Sequence, residues 1–179
     1  MNGDSVSKLW TDILHLPGFV VVHLQEDSAH QRYFITVVPE HSIGVCPHCD
    51  RTSDTIKQRR NRDRILDLPI GSHAVELTVR VGQFECQHCG HCFTPPIGFL
   101  AEGSHATERL LGRAAELIRH SDVANAARFF GIPEKTLEEW YYAFVQRQQQ
   151  RATEAPSGPI RRIGIDELSL KKSTDNSSR

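Results

Sequence analysis

The sequence predicts an α+β chain in two parts, a small β-rich module closed by two cysteine turns and then a three-helix bundle. Three observations carry that prediction. Cys-x-x-Cys turns stand at Cys46–Cys49 and Cys86–Cys89. Runs of β-branched and aromatic residues flank both turns. Beyond Pro95-Pro96 the apolar residues recur at helical spacing instead.

The elements follow in order. SVSKLWTDILHL, over residues 5–16, puts Val6, Leu9, Trp10, Ile13 and Leu14 on one helical face, with a serine as capping candidate and Pro17-Gly18 as the stop. FVVVHLQED and RYFITVVPE, either side of the polar SAHQ, form a hairpin. Residues 51–64 are polar and basic, end in RRNRDR, and are expected as a loop beside the cysteines. Pro69 and Gly71 mark a turn. AVELTVRVGQFEC then alternates Val75, Leu77, Val79 and Val81 with more polar residues, as a half-buried strand does. The helical part covers ATERLLGRAAELIRH, DVANAARFF and PEKTLEEWYYAFVQRQ. QRQQQRATEAPSGP is linker-like, IRRIGIDELSL is a short apolar strand with acidic residues, and KKSTDNSSR is a polar tail.

Composition sets the class. The 179 residues are 39% hydrophobic and 24% charged, as in soluble globular proteins. No stretch approaches the ~18 apolar residues of a membrane span, and the N-terminus lacks the pattern of a secretory signal. A reducing cytosol is the expected location. The net charge of −1 lends no support to a nucleic-acid partner, so any such claim rests on local patches.

All five cysteines fall between residues 46 and 92, which in a reducing compartment favours metal over disulfides. Two Cys-x-x-Cys turns with 36 residues between them suit a tetrahedral zinc held by Cys46, Cys49, Cys86 and Cys89. Such a shell is closed and structural. Gly90 follows Cys89 where a knuckle turns through positive φ. Cys92 and His91 remain alternatives to Cys89, and a redox pair without metal is the bland alternative. The knuckle histidines His48 and His88 are expected to face solvent. A module with few aromatics buries little core, so zinc is expected to decide whether it folds, since structural zinc contributes ~10–16 kcal/mol in small modules.

DVANAARFFGIPEKTLEEWYYAF has helix-turn-helix spacing. Ala127 is small where helices cross, Gly131 suits a left-handed turn residue, and Ile132 fills the angle between helices. Pro133 opens the next helix with Glu134 near its positive end. Leu137 and Trp140 are expected to pack against Leu110, Leu111, Ala114, Leu117 and Ile118. Lys135, Thr136 and Glu139 would then lie nearest the bases of a major groove. Tyr141, Tyr142 and Phe144 fit a core equally well, and a helical hairpin used only for packing is the alternative. Arg59, Arg60, Arg62 and Arg64 form the densest positive patch, suited to phosphate contacts or to a solvated loop.

CPHC, RDRILDLPIGSHAVELTVRVGQFECQHCG, FTPP, the helix-turn-helix and IGIDELSLKK occur in an order that resembles insertion-sequence transposases of the ISL-three family. The resemblance runs from about Leu14 to Lys172. It implies an N-terminal zinc-binding domain, a helix-turn-helix on double-stranded DNA at the element's terminal inverted repeats, an RNase H-like catalytic domain, a homo-oligomer, and a bacterial cytoplasmic location at the nucleoid. It also implies that Asp166 is the first carboxylate of an Asp-Asp-Glu triad, with Mg2+ serving only a complete triad.

The fold class is therefore α+β multidomain, with an orphan RNase H-like strand at the C-terminus. The divisions are an N-terminal helix at 1–17, a zinc-binding β domain at 18–98, a helix-turn-helix domain at 104–149, a linker at 150–159 and a truncated catalytic start at 160–179. The expected function is DNA binding without catalysis of its own. The alternatives are a zinc-dependent protein–protein adaptor, and a transposase subunit completed by another chain or a frameshift product.

Overall fold

A computed structural model of the chain describes residues 3–154. Helix α1 (Gly3–Leu14) leads into β1 (Phe19–Asp27), which turns back as β2 (Arg32–Pro39). Short strands β3 (Gly44–Val45) and β4 (Thr52–Ser53) flank the first cysteine turn. A long hairpin follows, β5 (Ile56–Ile70) and β6 (His73–Glu85), and β7 (Cys92–Phe93) leaves the second turn. Helices α2 (Glu108–His120), α3 (Val123–Phe130) and α4 (Glu134–Glu154) complete the described residues.

Five strands form one sheet, in the order β1-β2-β6-β5, with β7 against the end of β6. Both hairpins are antiparallel, and the parallel pair β2/β6 joins them, from Arg32 beside Ala74 to Val37 beside Val79. Parallel neighbours need a long crossover. Here the first cysteine turn and β5 supply it, which sets the metal-ligand candidates at one end of the sheet.

The period-two reading of β6 holds, with Val75, Leu77, Val79 and Val81 all buried. They pack with Val21, Ile35, Val37, Ile65, Leu14 and Leu16. This corrects the expectation of a poor core, because the sheet and α1 bury an apolar cluster of their own. The inward face of α1 is also corrected. Leu9 is 54% exposed and Ile13 48%; Trp10 and Leu14 meet the sheet instead. Thr11 Oγ1 accepts the Val21 N–H at 2.9 Å, and that bond turns the helix so that Thr11 faces β1.

The helices close around Leu110, Leu111, Ala114, Ala126, Ala127, Ile132, Leu137 and Phe144. Thr107 caps α2, its side chain accepting from the Leu110 N–H, and Asp122 caps α3 through the Asn125 N–H. Gly131 ends α3 in the left-handed region, φ 65°, with its N–H on Ala127 and Arg128 carbonyls. Leu117, Ile118 and Trp140 are partly buried against this core, whereas Tyr142 is exposed.

The two parts share a strand. Leu66 and Leu68 of β5 pack into the helical core, and Leu66 exchanges backbone hydrogen bonds with His105 and Thr107 at 2.8 and 2.9 Å. Residues 150–154, expected as linker, continue α4. The expected linker from 155, the strand IRRIGIDELSL and Asp166 lie outside the described residues.

Candidate metal centre and nucleic-acid surface

The two cysteine turns are copies of one knuckle. In the first, the Cys46 N–H donates to Arg51 O and the Asp50 N–H to Cys46 O, each at 2.9 Å. In the second, the Cys86 N–H donates to His91 O at 2.9 Å and the Gly90 N–H to Cys86 O at 2.8 Å. The residue after each second cysteine takes positive φ, 56° at Asp50 and 71° at Gly90. Glycine adopts that conformation freely, and aspartate is among the few other residues that tolerate it.

The knuckles face each other so that all four sulfurs lie within 4.8 Å of one another. Cys46 Sγ is 3.7 Å from Cys89 Sγ, and Cys49 Sγ is 3.5 Å from Cys86 Sγ. Sulfurs at the corners of a zinc tetrahedron with bonds of about 2.3 Å stand about 3.8 Å apart. The donor set therefore fits structural Zn2+, and with four thiolates the shell leaves no position for water. Cys92 lies outside the cluster, where Lys57 Nζ approaches its sulfur at 3.3 Å. His48, His88 and His91 are exposed, and His48 stacks on His91 with ring centroids 5.7 Å apart.

The electrostatics are those of a cation site. The Cys89 and His88 amides, turned toward the Cys86 sulfur, pull its thiol down to about 6. At Cys49 the Arg51 amide also favours thiolate, but burial and the sulfurs of Cys86, Cys89 and Cys46 outweigh it, and the thiol is pushed up to about 12. Four neighbouring thiolates repel one another, and a divalent cation relieves that repulsion. Beneath the sulfurs Phe84 and Phe93 stack at 5.8 Å and pack with Cys46 and Cys86. Gly44 lies so close that a Cβ there would sit 2.8 Å from Phe93 and 3.2 Å from Phe84.

The basic segment is not the loop expected from the sequence. Arg59, Arg60, Arg62 and Arg64 all lie on β5, the sheet's edge strand, and all are exposed. Pairing with β6 supplies the regularity that an all-polar stretch lacks alone. Arg59 sits opposite Gly82, Arg60 opposite Val81, Asn61 opposite Arg80 and Arg62 opposite Val79. Opposed residues share a face and successive ones alternate, so Arg60 and Arg62 stand on the side of Val79 and Val81 while Arg59 stands on the other. Arg64 falls in the irregularity between Arg62 and Ile65, with φ 57°.

On α4, Lys135 and Glu139 are exposed and Thr136 is half-buried. The sequence reading missed Asp67, Thr107 and Arg109. Buried Asp67 accepts from Thr107 Oγ1 at 2.7 Å and Arg109 Nε at 2.8 Å, and this pairing pushes the Arg109 guanidinium upward from its ordinary range. The DLPIG motif, which contains Asp67, was the only signal.

Fold and site together define a four-cysteine zinc-ribbon module built into an α+β body. Residues 43–89 match the family model of the zinc-finger of transposase IS204/IS1001/IS1096/IS1165. The chain is also similar to the transposase for insertion sequence element IS1001 of Bordetella parapertussis, 26% identical over 138 residues, covering 77% of this chain and 33% of that relative. These findings support the kinship with ISL-three-family transposases that the motifs carried. The chain thus spans about a third of the relative's length. No solved structure matches the chain.

Proposed function

We propose that the chain is the zinc-stabilised DNA-binding part of an insertion-sequence transposase, directed to the element's terminal inverted repeats, and that residues 3–154 serve binding rather than chemistry. The basic edge strand carries this reading. Between residues 57 and 64 β5 holds Lys57, Arg59, Arg60, Arg62 and Arg64 against the single acid Asp63, a local excess that suits phosphates. Lys135, Thr136 and Glu139 are the candidates for base contacts, on a helix entered through the left-handed turn at Gly131. Zn2+ on Cys46, Cys49, Cys86 and Cys89 holds the end of the sheet from which β5 starts. In the same reading Asp166 is the first carboxylate of the catalytic triad, and Mg2+ enters only with the complete triad.

The net charge of −1 and the acids Glu134, Glu138 and Glu139 on α4 favour a second reading, a protein–protein adaptor. Metal content of the purified chain, with its retention on duplex DNA at rising salt, separates the two. One zinc per chain with salt-sensitive retention supports the DNA-binding part. One zinc without retention at low salt overturns it in favour of the adaptor.

A further inference from the structure

The register of the β5–β6 hairpin places one more arginine in the basic row. Asn61 is opposite Arg80 and Arg59 is opposite Gly82, so Arg59, Asn61 and Arg80 share one face of the sheet. Leu66 is opposite Glu76, two pairs of residues below Arg80 on the same phase of β6, which sets Leu66 on that face too. Leu66 is also a residue against which the helical core packs. The face bearing Arg59 and Arg80 is therefore the face against which the helices stand, and sheet and helices form one continuous surface. Arg60 and Arg62 point to the opposite side, where Arg60 Nη2 donates to Gln83 Oε1 at 3.2 Å. Arg59 and Arg80 are exposed and take no acidic partner among the described residues. The first turns of α4 carry Glu134, Glu138 and Glu139 against Lys135, so the helix repels phosphates where the sheet attracts them.

We infer that a duplex lies on the helix-bearing face of the sheet, its phosphates on Arg59 and Arg80, so that Arg80 is a DNA contact and the sheet rather than α4 supplies the electrostatic part of binding. This rests on the DNA-binding reading above. The test uses the full zinc-loaded chain and a short mixed-sequence duplex, with affinity followed against salt. Replacing both residues, Arg59→Ala with Arg80→Ala, lowers the slope of log affinity against log salt by about two, near one for each phosphate left unbound. The pair Arg60→Ala with Arg62→Ala lowers it by less than half as much, and Arg80→Lys retains the slope. Unchanged zinc content, together with hydrogen-exchange protection retained along β6, shows in each variant that both the knuckles and the sheet persist. Equal losses from both pairs, or a larger loss from Arg60 and Arg62, overturn the face assignment while leaving DNA binding in place. Failure of the unaltered chain to bind the duplex overturns both.

Discussion

Arg109 on α2 and Asp67 on β5 form a two-point ion pair, Nε to Oδ1 at 2.8 Å and a second bond from Nη2 to Oδ2, while Arg109 Nη1 donates to the Leu14 carbonyl at 2.6 Å. One guanidinium thus ties the end of α1, the long strand of the sheet and the first helix of the bundle. Thr107, which caps α2, donates to the same carboxylate at 2.7 Å. The fork geometry of arginine suits such a junction, because one planar group serves three acceptors in fixed directions.

Arg109→Ala leaves the Asp67 carboxylate buried with Thr107 alone. Breaking a buried pair from one side costs about 3–5 kcal/mol, and the low end applies because the Arg109 side chain is one-third exposed. Urea unfolding is expected to show a midpoint lowered by the equivalent of about 3 kcal/mol, with the helical signal lost ahead of the sheet signal. An unchanged midpoint would mean that the pair contributes nothing net to joining the parts.

Metal removal has a local outcome. The sulfurs pack with Phe84, Phe93 and Ile56 in a small cluster, whereas Val75, Leu77, Val79, Ile35 and Leu14 belong to a separate one. Chelation, or Cys46→Ser or Cys86→Ser, is expected to release one zinc and melt the two knuckles with β3, β4 and β7. The main sheet and helices keep their structure. Hydrogen exchange reads this directly, with protection lost at Cys46, Asp50, Cys86 and Gly90 amides and retained along β2 and β6. Loss of protection throughout β6 would show that the sheet core needs the metal.

Gly44→Ala tests the packing beneath the sulfurs without touching a ligand. The added methyl would meet Phe93 at 2.8 Å, Pro95 at 3.1 Å and Phe84 at 3.2 Å, and rings stacked on each other have little room to retreat. Overpacking of this kind costs about 1–3 kcal/mol. The variant is expected to hold zinc more weakly in competition with a chelator, and equal affinity would mean that the rings shift freely.

The cysteine set was legible because its spacing is local. Four residues per turn suffice to write a knuckle, and two such turns point to one ion whatever the chain does between them. The β6 strand was legible from Val75 to Val81, where one buried face imposes a period of two. Lys57 to Arg64 was not, because all its side chains are polar and nothing in KQRRNRDR has a period. Pairing with β6 made it a strand and divided its arginines between two faces. Asp67 and Arg109, 42 residues apart, left only the DLPIG motif as a trace. On α1 the apolar positions Leu9 and Ile13 were misleading, since a hydroxyl at Thr11 fixed the rotation of the helix.

The two DNA elements of the proposed function should fail differently. A phosphate contact supports every sequence equally, whereas a base contact supports one site over the rest. Replacing Arg59, Arg60, Arg62 and Arg64 together with Ala should weaken binding to terminal-repeat and unrelated duplexes by the same factor and flatten the salt dependence. Replacing Lys135 and Thr136 with Ala should leave the unrelated duplex nearly unaffected and cost about 1–3 kcal/mol of discrimination at the repeat for each well-formed pairing with a base edge. Competition between the two duplexes at fixed salt measures the ratio. If the α4 variant kept its preference for the repeat, α4 would be a packing element, and recognition would have to come from the sheet surface.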